Sequence, residues 1–169
     1  MAAQLWLLRH GEAEPHDARP DADRRLTRRG EAQSRDAGRA LAALGISFAL
    51  VFSSPKVRAR DTALLACESL GVEPVLHPPM GEGLDVHEAL ALAAAGGADA
   101  RTLLVGHEPD LSQVLHDLTG ARLQMKKGGL AGVALRGSVG GELLALLRPR
   151  ELVRLAAAPT GNTPGRTTG

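Results

Sequence analysis

Three short segments of this chain carry side chains suited to binding and transferring an anion. Arg9 and His10 end the apolar run LWLL, Arg58 lies in SSPKVRARDT, and His107 lies in VGHEPD. A guanidinium group gives a phosphoryl group paired N–H bonds and stays charged throughout a reaction. A neutral imidazole can attack phosphorus and leave again from the intermediate, because its pKa is about 6.5. These residue types therefore predict an enzyme that works through a phosphohistidine.

The segments between these residues predict the elements that must position them. Short apolar runs predict buried strands at 4–8, 48–53, 74–77 and 101–106. Start and stop residues predict a helix after each of these strands. The first helix starts at Thr27 and stops at Gly45, and the second starts at Ser54 with Pro55 and stops at Gly71. The third opens with Asp85 and Glu88 at capping-box spacing, and the fourth starts near Pro109 and stops at Gly120. The runs 128–137 and 141–149 predict a strand pair, followed by a last helix in PRELVRLAAA.

This alternation of strand and helix predicts an α/β fold, a three-layer sandwich with a mostly parallel sheet flanked by helices on both faces. In open sheets of this kind, ligands bind beyond the carboxyl ends of the strands. The three polar segments follow three of the predicted strands. We therefore expect them to meet at one edge of the sheet, where Gly11 and Gly106 let the backbone turn closely.

Length and composition limit the class of protein. The 169 residues predict one domain over residues 1–157, with a disordered tail at 158–169. No stretch is long and apolar enough for a membrane span, and no export signal is recognisable, so we expect no membrane partner and a cytoplasmic location. A net charge of +1 and only three aromatic side chains argue against nucleic acid as a partner. The single Cys67 is predicted to be a small buried residue.

The three segments, in this order, resemble the motifs of a known family. Arg9-His10-Gly11, then Ser54-Pro55 with Arg58-Ala59 and Thr62-Ala63, then Gly106-His107 are similar to the motifs of the histidine phosphatase (phosphoglycerate mutase-like) superfamily. LTRRGEAQ at 26–33, VGHEPDL at 105–111 and MKKGGLA at 125–131 resemble the SixA-type phosphohistidine phosphatases. The resemblance covers about residues 3–150.

The resemblance implies a role for each matching residue. His10 would be the nucleophile, Arg9, Gly11 and Arg58 would bind the phosphoryl group, and His107 would donate a hydrogen bond to the developing charge. It also implies catalysis without a metal or other cofactor. At Asp61 the second motif more often has Gln or Glu, a difference that we assign to tuning at a helix surface.

The general acid of the larger family members has no clear counterpart here. Glu82, in HPPMGEGLD, is the nearest candidate, and Asp85 or water are the alternatives. A leaving alkoxide needs a proton, whereas a phosphohistidine ring is itself protonated near neutral pH. A pocket without a well-placed acid therefore favours phosphoramidate substrates. The resemblance implies that this substrate is a phosphohistidine on a signalling or phosphocarrier protein. We also expect activity to fall as the pH drops through the titration of His10.

Several alternatives remain open at this stage. One is a small-molecule phosphomonoesterase of the same superfamily, and another is a non-catalytic module that binds phosphoproteins. A metal-dependent hydrolase would use the ligand types of HGEAEPHD, which are His10, Glu12, His16 and Asp17.

Lys126 and Lys127 either reach the surroundings of the substrate or form an exposed turn. The arginines of DRRLTRRGEAQSRDAGR predict a solvated face, because acidic residues including Asp21 alternate with them. The sequence does not predict the oligomeric state.

Overall fold

The fold is built on one six-stranded sheet. The computed structural model describes residues 2–159. The predicted disordered tail therefore lies, from residue 160 onward, outside the described residues. The strands are β1 (Gln4–Arg9), β2 (Leu50–Ser53), β3 (Val75–Leu76), β4 (Arg101–Gly106), β5 (Leu130–Leu135) and β6 (Gly141–Leu147). They lie in the order β3-β2-β4-β1-β5-β6.

The sheet is mostly parallel, as predicted. β1 and β2 both pair in parallel with β4, and β3 pairs in parallel with β2. β5 runs antiparallel to β1, and β6 runs antiparallel to β5 as the predicted strand pair. The neighbours β2, β4 and β1 therefore end at the same edge of the sheet, and each is followed by one of the three polar segments.

Five helices cover both faces of this sheet. They are α1 (Arg28–Ala43), α2 (Val57–Leu70), α3 (Val86–Ala95), α4 (Asp110–Thr119) and α5 (Pro149–Ala156). Apolar residues of α1, α2 and α5 pack with Trp6, Leu8 and Val105 on one face. Residues of α3 and α4 pack with Leu5, Leu7 and Leu104 on the other. The predicted three-layer α/β sandwich is confirmed. No helix within residues 2–159 has the length and apolar character to cross a membrane.

The helix starts follow local capping chemistry in two of the predicted cases. The Thr27 side chain accepts a hydrogen bond from the Gly30 N–H at 3.1 Å, and Asp85 accepts one from the Glu88 N–H at 2.9 Å. The predicted capping box at α3 is only half formed, because the Glu88 carboxylate contacts His77. The prediction that Ser54 caps α2 is wrong, since the helix begins at Val57 and Lys56 is its N-cap.

Close backbone contact joins the loop after β1 to the start of α1. A Cβ atom on Gly30 would lie 2.0 Å from the Glu12 carbonyl oxygen, and one on Gly11 would lie 2.5 Å from the Gly30 carbonyl oxygen. Thr27 N–H also donates to the Glu12 carbonyl at 3.0 Å. Glycine at both positions therefore allows α1 to brace the chain that follows the predicted nucleophile.

Candidate active site

His10 is held at the end of β1 by backbone hydrogen bonds on both sides. Its N–H donates to the Gly106 carbonyl at 3.1 Å, and its carbonyl accepts from the Gly128 N–H at 2.9 Å. The residue is 6% exposed. Its Nδ1 lies 2.8 Å from the Gly11 carbonyl oxygen, which can only accept, so Nδ1 carries the proton. In the neutral ring the lone pair is then on Nε2.

Arg58, in the first turn of α2, points its guanidinium at this lone pair. Its Nε lies 3.4 Å from His10 Nε2 and donates to it. Nη1 donates to the backbone carbonyl of Asp21 at 2.7 Å, and Nη2 lies 3.3 Å from an Asp21 carboxylate oxygen. The buried guanidinium is thus fixed by a loop distant in sequence. It faces the ring nitrogen that would attack phosphorus.

His107 lies beside His10 at the end of β4. The two ring centroids are 5.3 Å apart. His107 Nε2 is 2.7 Å from the Ser54 hydroxyl, which also accepts from the Lys56 N–H at 3.3 Å. Its Nδ1 is buried and has no hydrogen-bond partner within residues 2–159. The second nitrogen of this imidazole is therefore a buried polar atom whose hydrogen bond is not supplied by the described residues.

Arg9 contributes a second guanidinium, held by a chain of contacts from α4. Its Nη1 donates to the Met125 carbonyl at 2.7 Å. The Met125 N–H donates to the Ser112 hydroxyl at 3.1 Å, and that hydroxyl donates to Glu108 at 2.5 Å. The Arg9 Nε is buried without a partner within the described part of the chain. Arg9 therefore has a fixed orientation and unused donor capacity.

Thr62 ties α2 to the loop that follows His10. Its hydroxyl accepts from the Gly11 N–H at 3.1 Å and donates to the Arg58 carbonyl at 2.7 Å. The Gly11 N–H is therefore engaged within the protein, although the resemblance assigns Gly11 to phosphate binding. That assignment stays a prediction for the glycine, whose lack of a side chain also permits the close approach of Gly30.

Burial and positive charge keep both histidines neutral. Burial lowers the pKa of His10 to about 3, and the nearby His107, Arg58 and Arg9 add to this effect. Burial also lowers the pKa of His107 to about 4, again helped by Arg58. The pKa values of the Arg9 and Arg58 guanidiniums are lowered by burial as well. Two neutral imidazoles thus lie between two guanidinium groups.

This arrangement has the properties of a phosphoryl-transfer site. An unprotonated Nε2 can act as a nucleophile toward phosphorus. The guanidinium groups present donors to the oxygens on which negative charge accumulates. Arg9, His10, Arg58 and His107, all predicted from the sequence, are therefore brought together at one edge of the sheet.

Other sequence candidates do not join this cluster. Glu82 is exposed, and its carboxylate makes no hydrogen bond or ion pair within residues 2–159. His16 and Asp17 are exposed, and no group of three potential ligands that could hold a metal ion occurs among residues 2–159. The structure therefore does not assemble the ligand set of HGEAEPHD.

Two acidic residues near the site were not recognised from the sequence. Asp21 does not lie on a purely solvated face, because it receives hydrogen bonds from Arg24, Lys56 and Arg58. These partners hold its pKa well below the usual range, with Lys56 the largest contributor. Glu108 acts on Arg9 through its charge and through Ser112. The position of Glu108 directly after His107 was the one available signal.

We compared this chain with a family model, with a protein of related sequence and with solved structures. The model of the histidine phosphatase superfamily (branch 1) matches residues 5–91. An uncharacterized protein from Picosynechococcus sp. is 33% identical over 167 residues, covering 89% of this chain and 99% of that protein. The structure of the protein histidine phosphatase SixA complexed with tungstate is similar at a TM-score of 0.77 and 26% identity, covering 88% of this chain and 99% of that one. A phosphoserine phosphatase from Entamoeba histolytica shares the fold, with a TM-score of 0.69, 17% identity, and coverage of 90% and 100%.

Proposed function

Because this chain belongs to the histidine phosphatase superfamily, we propose that it removes phosphate from phosphohistidine on a protein, through a phosphorylated His10. One observation carries the proposal. The unprotonated Nε2 of His10 is buried, with the guanidinium of Arg58 3.4 Å away. The likeness to the protein histidine phosphatase SixA supports this substrate class.

The reaction proceeds in two displacements at phosphorus. Nε2 of His10 attacks, the new N–P bond forms, and the N–P bond to the imidazole of the substrate breaks. Water then attacks the phosphorylated His10 and releases inorganic phosphate, which restores the free imidazole. Arg9 and Arg58 hold the phosphoryl oxygens, and His107 donates a hydrogen bond as charge grows on them. No metal ion or cofactor takes part in these steps.

The leaving group explains why no carboxylic acid is needed. The imidazole of a phosphohistidine is protonated near neutral pH and departs as a neutral ring. An alkoxide, in contrast, requires a proton from the enzyme. The exposed carboxylate of Glu82 makes no hydrogen bond or ion pair within residues 2–159 that would hold it against the leaving group. This supports phosphohistidine over simple phosphate esters.

The test compares wild type with His10→Ala on a phosphohistidine-bearing peptide and on an aryl phosphate, with a chelator present. His16→Ala is the matched control, because His16 is exposed and its side chain makes no hydrogen bond, ion pair or ring contact within residues 2–159. We expect wild type and His16→Ala to hydrolyse the peptide and to carry an acid-labile phosphoryl label, and His10→Ala to do neither. Hydrolysis that survives in His10→Ala would contradict the proposal, and so would loss of activity on adding chelator.

A second candidate is a small-molecule phosphomonoesterase of the same superfamily. The shared fold with the phosphoserine phosphatase favours it. The same experiment separates the two functions. Faster turnover of the aryl phosphate than of the phosphohistidine peptide would support the esterase, while the label on His10 would remain.

A further inference from the structure

A strongly basic groove opens beside the candidate active site. Its volume is about 510 Å³, and it shares Arg9 with the site. Six lining residues are cationic and one is anionic, whereas the whole chain has a net charge of only +1. The lining residues are Arg9, Glu12, Arg29, Gln33, Lys126, Lys127, Arg148, Pro149 and Arg150.

Half of these cations are not neutralised by the protein. Arg148 is paired with Glu151, and Arg150 lies 3.6 Å from the same carboxylate. The exposed side chains of Arg29, Lys126 and Lys127 make no ion pair or hydrogen bond within residues 2–159. Glu12, the lone carboxylate of the groove, already accepts the Thr27 hydroxyl at 3.0 Å. The groove therefore presents uncompensated positive charge.

The groove is fixed relative to the nucleophile. The turn that carries Lys126 and Lys127 is anchored at Gly128, whose N–H donates to the carbonyls of Arg9 and His10 at 3.1 and 2.9 Å. The Gly129 carbonyl accepts the Arg9 N–H at 3.0 Å. A ligand in the groove would therefore lie at a constant distance from a phosphoryl group on His10.

We propose that this groove binds an acidic segment of the phosphorylated protein, next to its phosphohistidine. The inference rests on the proposed function. Positive charge on the lining favours an anionic partner over a neutral or cationic one. The five cations other than Arg9 come from three separate segments, and their side chains are exposed. Such a lining suits an extended polypeptide with several carboxylates better than one compact anion.

The experiment compares two phosphohistidine peptides of equal length, one with Asp and Glu around the phosphohistidine and one with Asn and Gln. For wild type at low salt we expect KM for the acidic peptide to be lower by about tenfold, with kcat unchanged, because the groove adds binding energy and takes no part in the displacement. The difference should shrink at about 0.5 M NaCl, where charges are screened over a few ångströms.

Variants that remove positive charges test whether the groove causes the lower KM for the acidic peptide. Arg29→Gln and the double variant Lys126→Gln/Lys127→Gln should each reduce the preference for the acidic peptide by about threefold or more. Arg122→Gln is the matched control, since Arg122 is an exposed arginine close in sequence to both lysines that does not line the groove. It should leave the preference unchanged.

Three results would overturn the inference. They are equal KM values for the two peptides in wild type, an equal effect of Arg122→Gln, and groove variants that weaken inhibition by tripolyphosphate without changing either peptide. If neither peptide is hydrolysed, the proposed function fails. Fluorescence anisotropy of the two peptides then tests the groove alone, and equal binding of both would reject it.

Discussion

The Nε2 atom of His10 lies 3.4 Å from the Nε atom of Arg58. A guanidinium group has only donors, so it favours an imidazole whose facing nitrogen is unprotonated. Protonating that nitrogen would place two positive charges together in a buried site, which is why the pKa of His10 is lowered to about 3 by burial and neighbouring charge. The arginine thus helps to keep the His10 imidazole unprotonated, the form that the proposed nucleophile requires.

This contact lowers the pH at which activity is expected to fall on the acidic side. The sequence predicts that activity falls through the titration of His10, which the structure shifts to about 3. We expect the NMR signals of the His10 and His107 rings to show no titration between pH 5 and 8. Adding phosphate should raise both midpoints, because a dianion stabilises the imidazolium. A His10 midpoint near 6.5 in the free protein would contradict the prediction.

The same burial makes stability depend on pH. The unfolded chain protonates His10 below about pH 6.5, whereas the folded chain does so only near 3, so folding is opposed progressively as the pH falls through this range. The expected cost is up to about 1.4 kcal/mol per pH unit for this group. Between pH 6.5 and 5, urea unfolding of His10→Gln should therefore lose about 2 kcal/mol less than wild type. Equal losses in the two proteins would reject the linkage.

Ser112 should act on phosphate binding through Arg9. Its hydroxyl accepts the Met125 N–H, and the Met125 carbonyl accepts Arg9 Nη1. We expect Ser112→Ala to weaken tungstate or phosphate binding by about tenfold, while stability falls by only about 1 kcal/mol. Thr119→Ala, which removes two side-chain hydrogen bonds at the end of α4, is the control and should leave anion affinity unchanged. Equal affinities in all three proteins would show that the chain of contacts does not position Arg9.

Gly30 should be intolerant of even a methyl group. A Cβ atom there would lie 2.0 Å from the Glu12 carbonyl oxygen, a backbone atom that cannot move aside as a flexible side chain can. We expect Gly30→Ala to cost about 2–4 kcal/mol and to lower kcat/KM at least tenfold by shifting the loop after His10. Gly38→Ala makes a similar clash with Ala66 at 2.1 Å, farther along α1. Gly38→Ala should lower stability by a similar amount to Gly30→Ala, but the folded protein should keep the kcat/KM of wild type.

Glu82 should be dispensable for phosphohistidine hydrolysis. Its carboxylate is exposed and makes no hydrogen bond or ion pair within the described residues. We expect Glu82→Gln to change kcat on a phosphohistidine peptide by less than about twofold, since the leaving imidazole supplies its own proton. The aryl phosphate is the comparison substrate. A large fall in kcat for both substrates would identify Glu82 as the general acid.

The sequence predicted the features that depend on local pattern. The alternation of strands and helices predicted the three-layer fold. His10, Arg58 and His107 were recognisable because each follows a strand or lies at the start of a helix. The contact of Asp21 with Arg58 was not predictable, because it spans 37 residues and depends on how the intervening chain folds. Ser54 was assigned to a helix cap by its neighbour Pro55, whereas its hydroxyl is instead 2.7 Å from His107.

β1 is hydrogen-bonded to a strand on each side. This arrangement distinguishes residues whose positions the core fixes from surface residues that can be replaced. The proposed nucleophile, His10, follows a strand bonded on one side to β4 and on the other to β5, so its position is set by the core. The unpaired cations of the groove stand on a helix start and a turn at the periphery. Mutations there leave the core contacts intact. Charge on the groove can therefore change without displacing the residues of the candidate active site.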